Sequence, residues 1–298
     1  MITPAILQNG NTIGILSTAR KISRNELEPL LNLLSQWGLT YTLGRTIDAE
    51  DHQYAGNDAL RISDFQAMLD DPSIRAIWCA RGGYGTVRII DSLDFSNFKK
   101  QPKWIIGYSD VTVLHNHVHG FGIETLHANM AIDIDTKTEE TRTGIRKILF
   151  GKNYRIQYKP EHGLNRNGMA KGELVGGNLS LLYSLIGSPS DLDTEDKILF
   201  IEDLDEMLYH IDRMMQNLKR NGRLKNLKGL IVGGMNDMKD NTIPFGKTAE
   251  EIIWEAVQEY EFPVCFGFPA GHIADNRPLI LGRTVVLEVK ELQVSIQF

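Results

Sequence analysis

Short apolar runs alternate along the chain with longer stretches of helical spacing, and that alternation predicts layered α/β structure. Residues 12–17, Thr-Ile-Gly-Ile-Leu-Ser, read as a buried strand ending in small polar residues. Leu27, Leu30, Leu31, Leu34 and Trp37 then form one helical stripe, with Ser23 and Glu26 spaced as a capping box and Gly38 as a stop. Pro29 is tolerated if this helix begins near Asn25, which puts it in the first turn. A strand over 41–43, an amphipathic helix over 58–69 and a strand over 75–80 continue the series. The apolar run from Trp104 breaks at Gly107, presents Ser109 and resumes with helical spacing through His115, which predicts strand, tight turn and helix. A short strand over 125–127 and a helix over 139–150 follow.

Beyond this point the pattern changes. A polar stretch holding Asn153, Asn165, Arg166 and Asn167 has the composition of a boundary. Strands are predicted at 173–175, 197–201, 227–232 and 263–268, helices from 179, 207 and 248, and short β-like runs from 279 to the end. The expected organisation is an N-terminal parallel-sheet α/β domain over 1–150 that carries the serine turn, a linker over 151–168, and a mixed, more β-rich α/β domain over 169–298.

Composition narrows the function classes. With 298 residues the chain is long enough for two cores, and a formal net charge of -6 with interspersed signs offers no basic field to nucleic acid. Cys79 and Cys265, the two cysteines, both lie in apolar runs, so reduced core thiols are expected rather than a disulfide framework or a Cys-rich metal site. The first ten residues lack a basic leader pattern and no apolar run reaches membrane-spanning length, so a soluble cytoplasmic protein is the expectation.

Several strand ends carry side chains capable of chemistry. Ser109 at a strand-to-helix turn has the placement of a nucleophile, although Val111 stands where a second glycine usually would, and Ser109 or Asp110 could equally cap the helix. Arg81-Gly82-Gly83-Tyr84-Gly85 follows a strand directly, which suits a phosphate cradle, half of an oxyanion hole, or simply a tight turn; the lysine of a P-loop is missing. Glu202 and His272 also follow buried strands. A serine needs a base and a base imidazole needs an orienting partner, so Ser109 as nucleophile, His272 as base and Glu202 as orienter fill each role once. The backbone N–H of Asp110, with one from Gly82 or Gly83, would hold the oxyanion. Taken singly each of these residues is as readily a cap or a surface group. Two metal arrangements compete: His115 and His119, four apart on what reads as an exposed helix face without a third ligand, and the Glu202, Asp203, Asp205, Glu206 cluster, which has no phosphate chemistry beside it to serve.

Five blocks in order, Arg81 to Gly85, Gly107 to Asp110, Gly176 to Leu179, Ile201 to Asp203, and Gly271-His272 through Asn276 to Gly282, resemble the LD-carboxypeptidases, the muramoyltetrapeptide carboxypeptidase family of serine peptidases. The resemblance spans nearly the whole chain. It implies an N-terminal nucleophile domain, a C-terminal domain bearing the glutamate and histidine, a cleft between them, a homodimer, no metal or cofactor, and murein recycling in the cytoplasm. Carried over by position, it makes Ser109 the nucleophile, Glu202 the triad carboxylate and His272 the base, with Asp110, Gly82 and Gly83 at the oxyanion. Arg81 is then a candidate for the substrate's terminal carboxylate, with Tyr84 of the same turn as a further substrate contact. Ile273-Ala274-Asp275 and Arg277 depart locally from the family pattern. The expected reaction is release of terminal D-alanine from a peptidoglycan tetrapeptide. Alternatives are a microcin C immunity-type peptidase acting on peptidyl- or aminoacyl-nucleotides, a non-catalytic two-domain binding protein, and an ordinary α/β-hydrolase.

Overall fold

The structure, a computed structural model, describes residues 1–160 and 162–298; Glu161, inside the segment expected as a linker, lies outside the described residues. Two compact units result: Met1–Asn153 with Arg277–Ile280, and Tyr154–Asn276 with Leu281–Phe298.

The first unit runs β1 (Thr12–Leu16), α1 (Arg24–Gln36), β2 (Thr40–Leu43), α2 (Asp58–Asp70), β3 (Ile74–Cys79), α3 (Ser96–Lys100), β4 (Trp104–Gly107), α4 (Thr112–His119), β5 (Thr125–His127) and α5 (Glu139–Leu149). Strands β2, β1, β3, β4 and β5 pair in parallel in that order. Their inner members are apolar at almost every position, with Ile13, Ile15, Ile77, Trp78, Ile105 and Ile106 fully buried, as a parallel sheet covered by helices on both faces requires. The capping box of α1 forms, the Ser23 N–H donating to Glu26 Oε2 at 2.8 Å. The helix starts at Arg24, close to the expected Asn25, but Pro29 is then its sixth residue and lies inside it, past the first turn of about 3.6 residues. The burial of Leu27, Leu30, Leu31 and Leu34 holds the helix together across the missing N–H.

The second unit runs β6 (Arg155–Tyr158), β7 (Gly168–Asn178), α6 (Leu179–Leu185), β8 (Lys197–Leu204), α7 (Leu208–Arg220), β9 (Gly229–Asn236), α8 (Ala249–Val257) and β10 (Val264–Cys265), and ends on β12 (Thr284–Lys290) and β13 (Gln293–Gln297). Its sheet has the order β10-β9-β8-β7-β12-β13-β6, parallel from β10 to β7 and antiparallel from β7 to β6. This is the mixed, β-richer layer anticipated. At its centre Gly176 admits no other residue: with φ +131°, a Cβ there would lie 1.9 Å from the Phe200 carbonyl oxygen.

Two expected boundaries move. The segment taken as a linker contains β6, which pairs with β13 and buries Ile156 opposite Ile296. Its polar residues satisfy backbone groups of the sheet: Asn165 Oδ1 accepts the Phe266 N–H at 2.8 Å, and Arg166 bridges to Val264. The run Leu279–Leu281, assigned to the C-terminal domain, is β11 and flanks β5 as the sixth strand of the first sheet. Three consecutive buried apolar residues carry no periodicity that would reveal which sheet they join.

Candidate active site

Ser109 sits at the C-terminal end of β4 with φ +61°, a left-handed conformation uncommon for a residue with a side chain. One 3₁₀ turn, Ser109–Val111, then leads into α4. The departure from the Gly-x-Ser-x-Gly pattern has a packing reason, because a Cβ on Gly107 would lie 2.7 Å from Val111 Cγ2: one glycine makes the room that the valine fills. Beneath the elbow, the Gly107 carbonyl accepts from the Ala128 N–H at 3.0 Å and from His115 Nε2 at 2.9 Å. That carbonyl places the proton on Nε2, so His115 Nδ1 accepts from Thr125 Oγ1 at 2.8 Å. His115 is therefore a buried clamp and not part of an exposed helix face, and burial holds its pKa down at about 4.

The glycine turn lies beside this serine. A Cβ on Gly82 would lie 3.5 Å from Ser109 Cβ, whereas one on Gly83, at φ +105°, would strike the Arg20 side chain at 2.6 Å. Asp110 stitches turn to elbow: its buried Oδ2 accepts the Thr86 N–H at 2.9 Å, and burial raises its pKa. Fully buried Arg61 reaches from α2 to donate to the carbonyls of Thr18 (2.6 Å) and Gly85 (3.0 Å), and Thr18 Oγ1 meets Thr86 Oγ1 at 2.7 Å. Sequence reading missed Thr86 and Arg61; neither the helical stripe nor the glycine pattern singles them out. Arg81 donates to the Lys21 carbonyl at 3.1 Å and approaches Glu26 Oε1 at 3.5 Å, on the rim of a cavity of about 260 Å³ also lined by Asp48 and Glu50. Tyr84 is exposed, its ring 6.4 Å from that of Tyr54.

In the second unit Glu202 and His272 come together. Glu202 is fully buried near the end of β8, at a register irregularity against β9 between Ile201 and Asp203, the kind of bulge that re-aims a side chain. Its Oε2 accepts from His272 Nδ1 at 2.6 Å and from the His272 N–H at 3.2 Å. The Nδ1 tautomer is thereby set, and Nε2 becomes the nitrogen with basic character. Ser109 belongs to the first unit, and Glu202 and His272 to the second.

The remaining carboxylates of the acidic run each take a different partner. Asp203 accepts from Asn178 Nδ2 and the Ser180 and Leu204 N–H groups, each at 2.9 Å. Burial and the neighbouring Glu202 push its pKa up to about 7. Asp205 pairs with Lys239 and Glu206 with His210, both at 2.5 Å. Among the described residues no group of three or more His, Cys, Asp or Glu side chains is arranged to hold a metal ion, and no helix is long and apolar enough to cross a membrane.

Comparison with known proteins agrees with this layout. Residues 13–128 match the model of the LD-carboxypeptidase N-terminal domain, and residues 171–287 that of the LD-carboxypeptidase C-terminal domain. The chain is 33% identical over 304 aligned residues, covering 99% of this chain and 94% of the relative, to the probable murein peptide carboxypeptidase of Bacillus subtilis (strain 168). Among solved structures it resembles muramoyltetrapeptide carboxypeptidase from Oxalobacter formigenes, with a TM-score of 0.87 and 25% identity over 96% of this chain and 97% of that one. It also shares the fold of microcin C7 self immunity protein MccF in complex with aspartyl sulfamoyl adenosine, with a TM-score of 0.89 and 22% identity over 100% and 99% of the two chains. Family models over both halves and a third of identical positions along the full length establish that this chain belongs to the LD-carboxypeptidase family of peptidases.

Proposed function

We propose that the protein is a serine carboxypeptidase that releases terminal D-alanine from murein tetrapeptides. The observation that carries this reading is the 2.6 Å contact of His272 Nδ1 with buried Glu202, together with a serine held at φ +61° beside a glycine turn. The names of the relatives, murein peptide carboxypeptidase and muramoyltetrapeptide carboxypeptidase, supply the substrate class.

In this mechanism Ser109 Oγ attacks the carbonyl carbon of the scissile amide while His272 Nε2 takes its proton. The developing oxyanion accepts from the Asp110 N–H and from the Gly82–Gly83 turn, with Gly82 beside the serine. Collapse breaks the C–N bond, the imidazolium returns its proton to the departing D-alanine amine, and an acyl ester remains on Ser109. Water, deprotonated by His272, then hydrolyses that ester and restores the serine. Glu202 keeps the imidazole in the required tautomer and stabilises its charged form. Arg81 is assigned to the terminal carboxylate of the substrate and Tyr84 to the flank of the same turn. A homodimeric cytoplasmic enzyme working in murein recycling completes the reading.

The test is D-alanine release from a tetrapeptide. Ser109→Ala should lower kcat by about 10⁴-fold or more with little change in KM. Normal turnover by that variant would refute the assignment. A parallel assay with an aminoacyl-sulfamoyl nucleoside, the ligand class named for the MccF complex, tests the second reading, in which the same serine acts on an aminoacyl-nucleotide.

A further inference from the structure

The loop from Gly271 to Asn276 carries the catalytic imidazole, and one buried amide closes it. Asn276 is fully buried, and its Oδ1 accepts the Gly271 N–H at 2.8 Å. The donor partner settles which side-chain atom is the oxygen. Gly271 has φ +109°, and a Cβ there would lie 2.8 Å from both Cβ and Oε2 of Glu202, so the backbone of residue 271 rests directly on the carboxylate side chain. The next residue, His272, then directs both its N–H and its Nδ1 at the same Glu202 oxygen. One hydrogen bond thus orients the peptide immediately before the histidine, at the residue type with the greatest backbone freedom.

A second observation points to the same residue. Glu202 Oε1 and Asn276 Nδ2, an acceptor and a donor, are both buried and have no hydrogen-bond partner among the described residues. An apolar residue at 276 would fill the space and avoid an orphaned amide, yet it would leave the Gly271 N–H unsatisfied. The amide oxygen at 276 satisfies that N–H and so holds the histidine loop.

We propose that Asn276 is a positioning residue for the Glu202–His272 pair: by holding Gly271 it fixes the angle at which the imidazole meets its carboxylate. The proposal rests on the serine-peptidase reading for its catalytic consequence, but its geometric content stands apart from any substrate. Removing the Asn276 oxygen loosens the loop and weakens the contact with Glu202, so the charged imidazole is less favoured and the proton shuttle is misaligned.

The experiment combines kinetics with two measurements made without substrate, on the full-length protein. Asn276→Ala is expected to lower kcat at least 10-fold with KM changed less than 3-fold, to lose protection of the Gly271 amide against hydrogen exchange, and to move the His272 imidazole NMR titration to lower pH. Asn276→Asp, which keeps an acceptor for Gly271, is expected to restore that protection and most of the lost kcat. A folded Asn276→Ala protein with wild-type Gly271 protection and an unmoved His272 titration overturns the proposal. So does a folded Asn276→Asp protein in which the Gly271 amide lacks the wild-type protection, and this arm decides the matter if Asn276→Ala fails to fold. Absence of D-alanine release by the wild type would instead refute the proposed function, leaving the exchange and titration results to decide the role of Asn276.

Discussion

Two buried ionisable groups, His115 and Asp203, make the stability of the fold depend on pH. His115 titrates near 4 in the folded protein against an ordinary 6.5, so on acidification through that window the unfolded chain takes the proton first and stability falls, by about 3 kcal/mol when complete. Asp203 works in the opposite sense: with a folded pKa of about 7 against 3.8, it is ionised first in the unfolded chain as the pH rises, and acidification from 7 restores stability. The two contributions partly cancel in the wild type. Melting temperatures measured between pH 7 and 4.5 should therefore separate them, His115→Gln gaining relative to wild type on acidification and Asp203→Asn losing. Glu202→Gln tests the orienting role: the Nδ1 contact no longer selects the tautomer, and kcat should drop by about 10³–10⁴-fold with KM near its original value.

Elements are shaped by single residues where packing leaves no room. Gly107→Ala would push a methyl group into Val111 at 2.7 Å and displace the turn that presents Ser109. Its expected effect is about 1–3 kcal/mol in urea unfolding and a larger fractional loss of kcat than of stability. Pro29 interrupts the interior of α1 while the buried leucine stripe holds the helix in place. Pro29→Ala restores one helical N–H, and a rise of several degrees in Tm is expected, read by circular dichroism, with D-alanine release unchanged. A fall in Tm would mean that the proline is adapted to a local bend.

Over the whole molecule, the chain passes from the first unit to the second after Asn153, returns for Arg277–Ile280, and leaves again. β11 covers the flank of β5, so a fragment ending at residue 153 exposes the edge of a buried parallel sheet. Expressed alone, residues 1–153 should be aggregation-prone by light scattering, and co-expression with residues 154–298 should recover soluble material. A soluble, cooperatively unfolding 1–153 fragment would show the edge strand to be dispensable.

Much of this was legible in the chain itself. Strands and helices followed from apolar spacing, since a buried face must recur with the period of its element, and the Gly107–Ser109 and Gly271–His272 breaks stood out because turns demand particular residues. Family resemblance across five blocks was likewise written in the sequence. Tertiary structure alone decided that Leu279–Leu281 joins the first sheet, that 155–158 is a strand, that His115 is a buried clamp, that Arg61 and Thr86 bond to the turn and elbow beside Ser109, and that Asn276 accepts from the Gly271 N–H. The reason is physical: periodicity records how a segment meets its nearest layer, whereas a buried hydrogen bond between residues far apart depends on distances that only the packed chain sets.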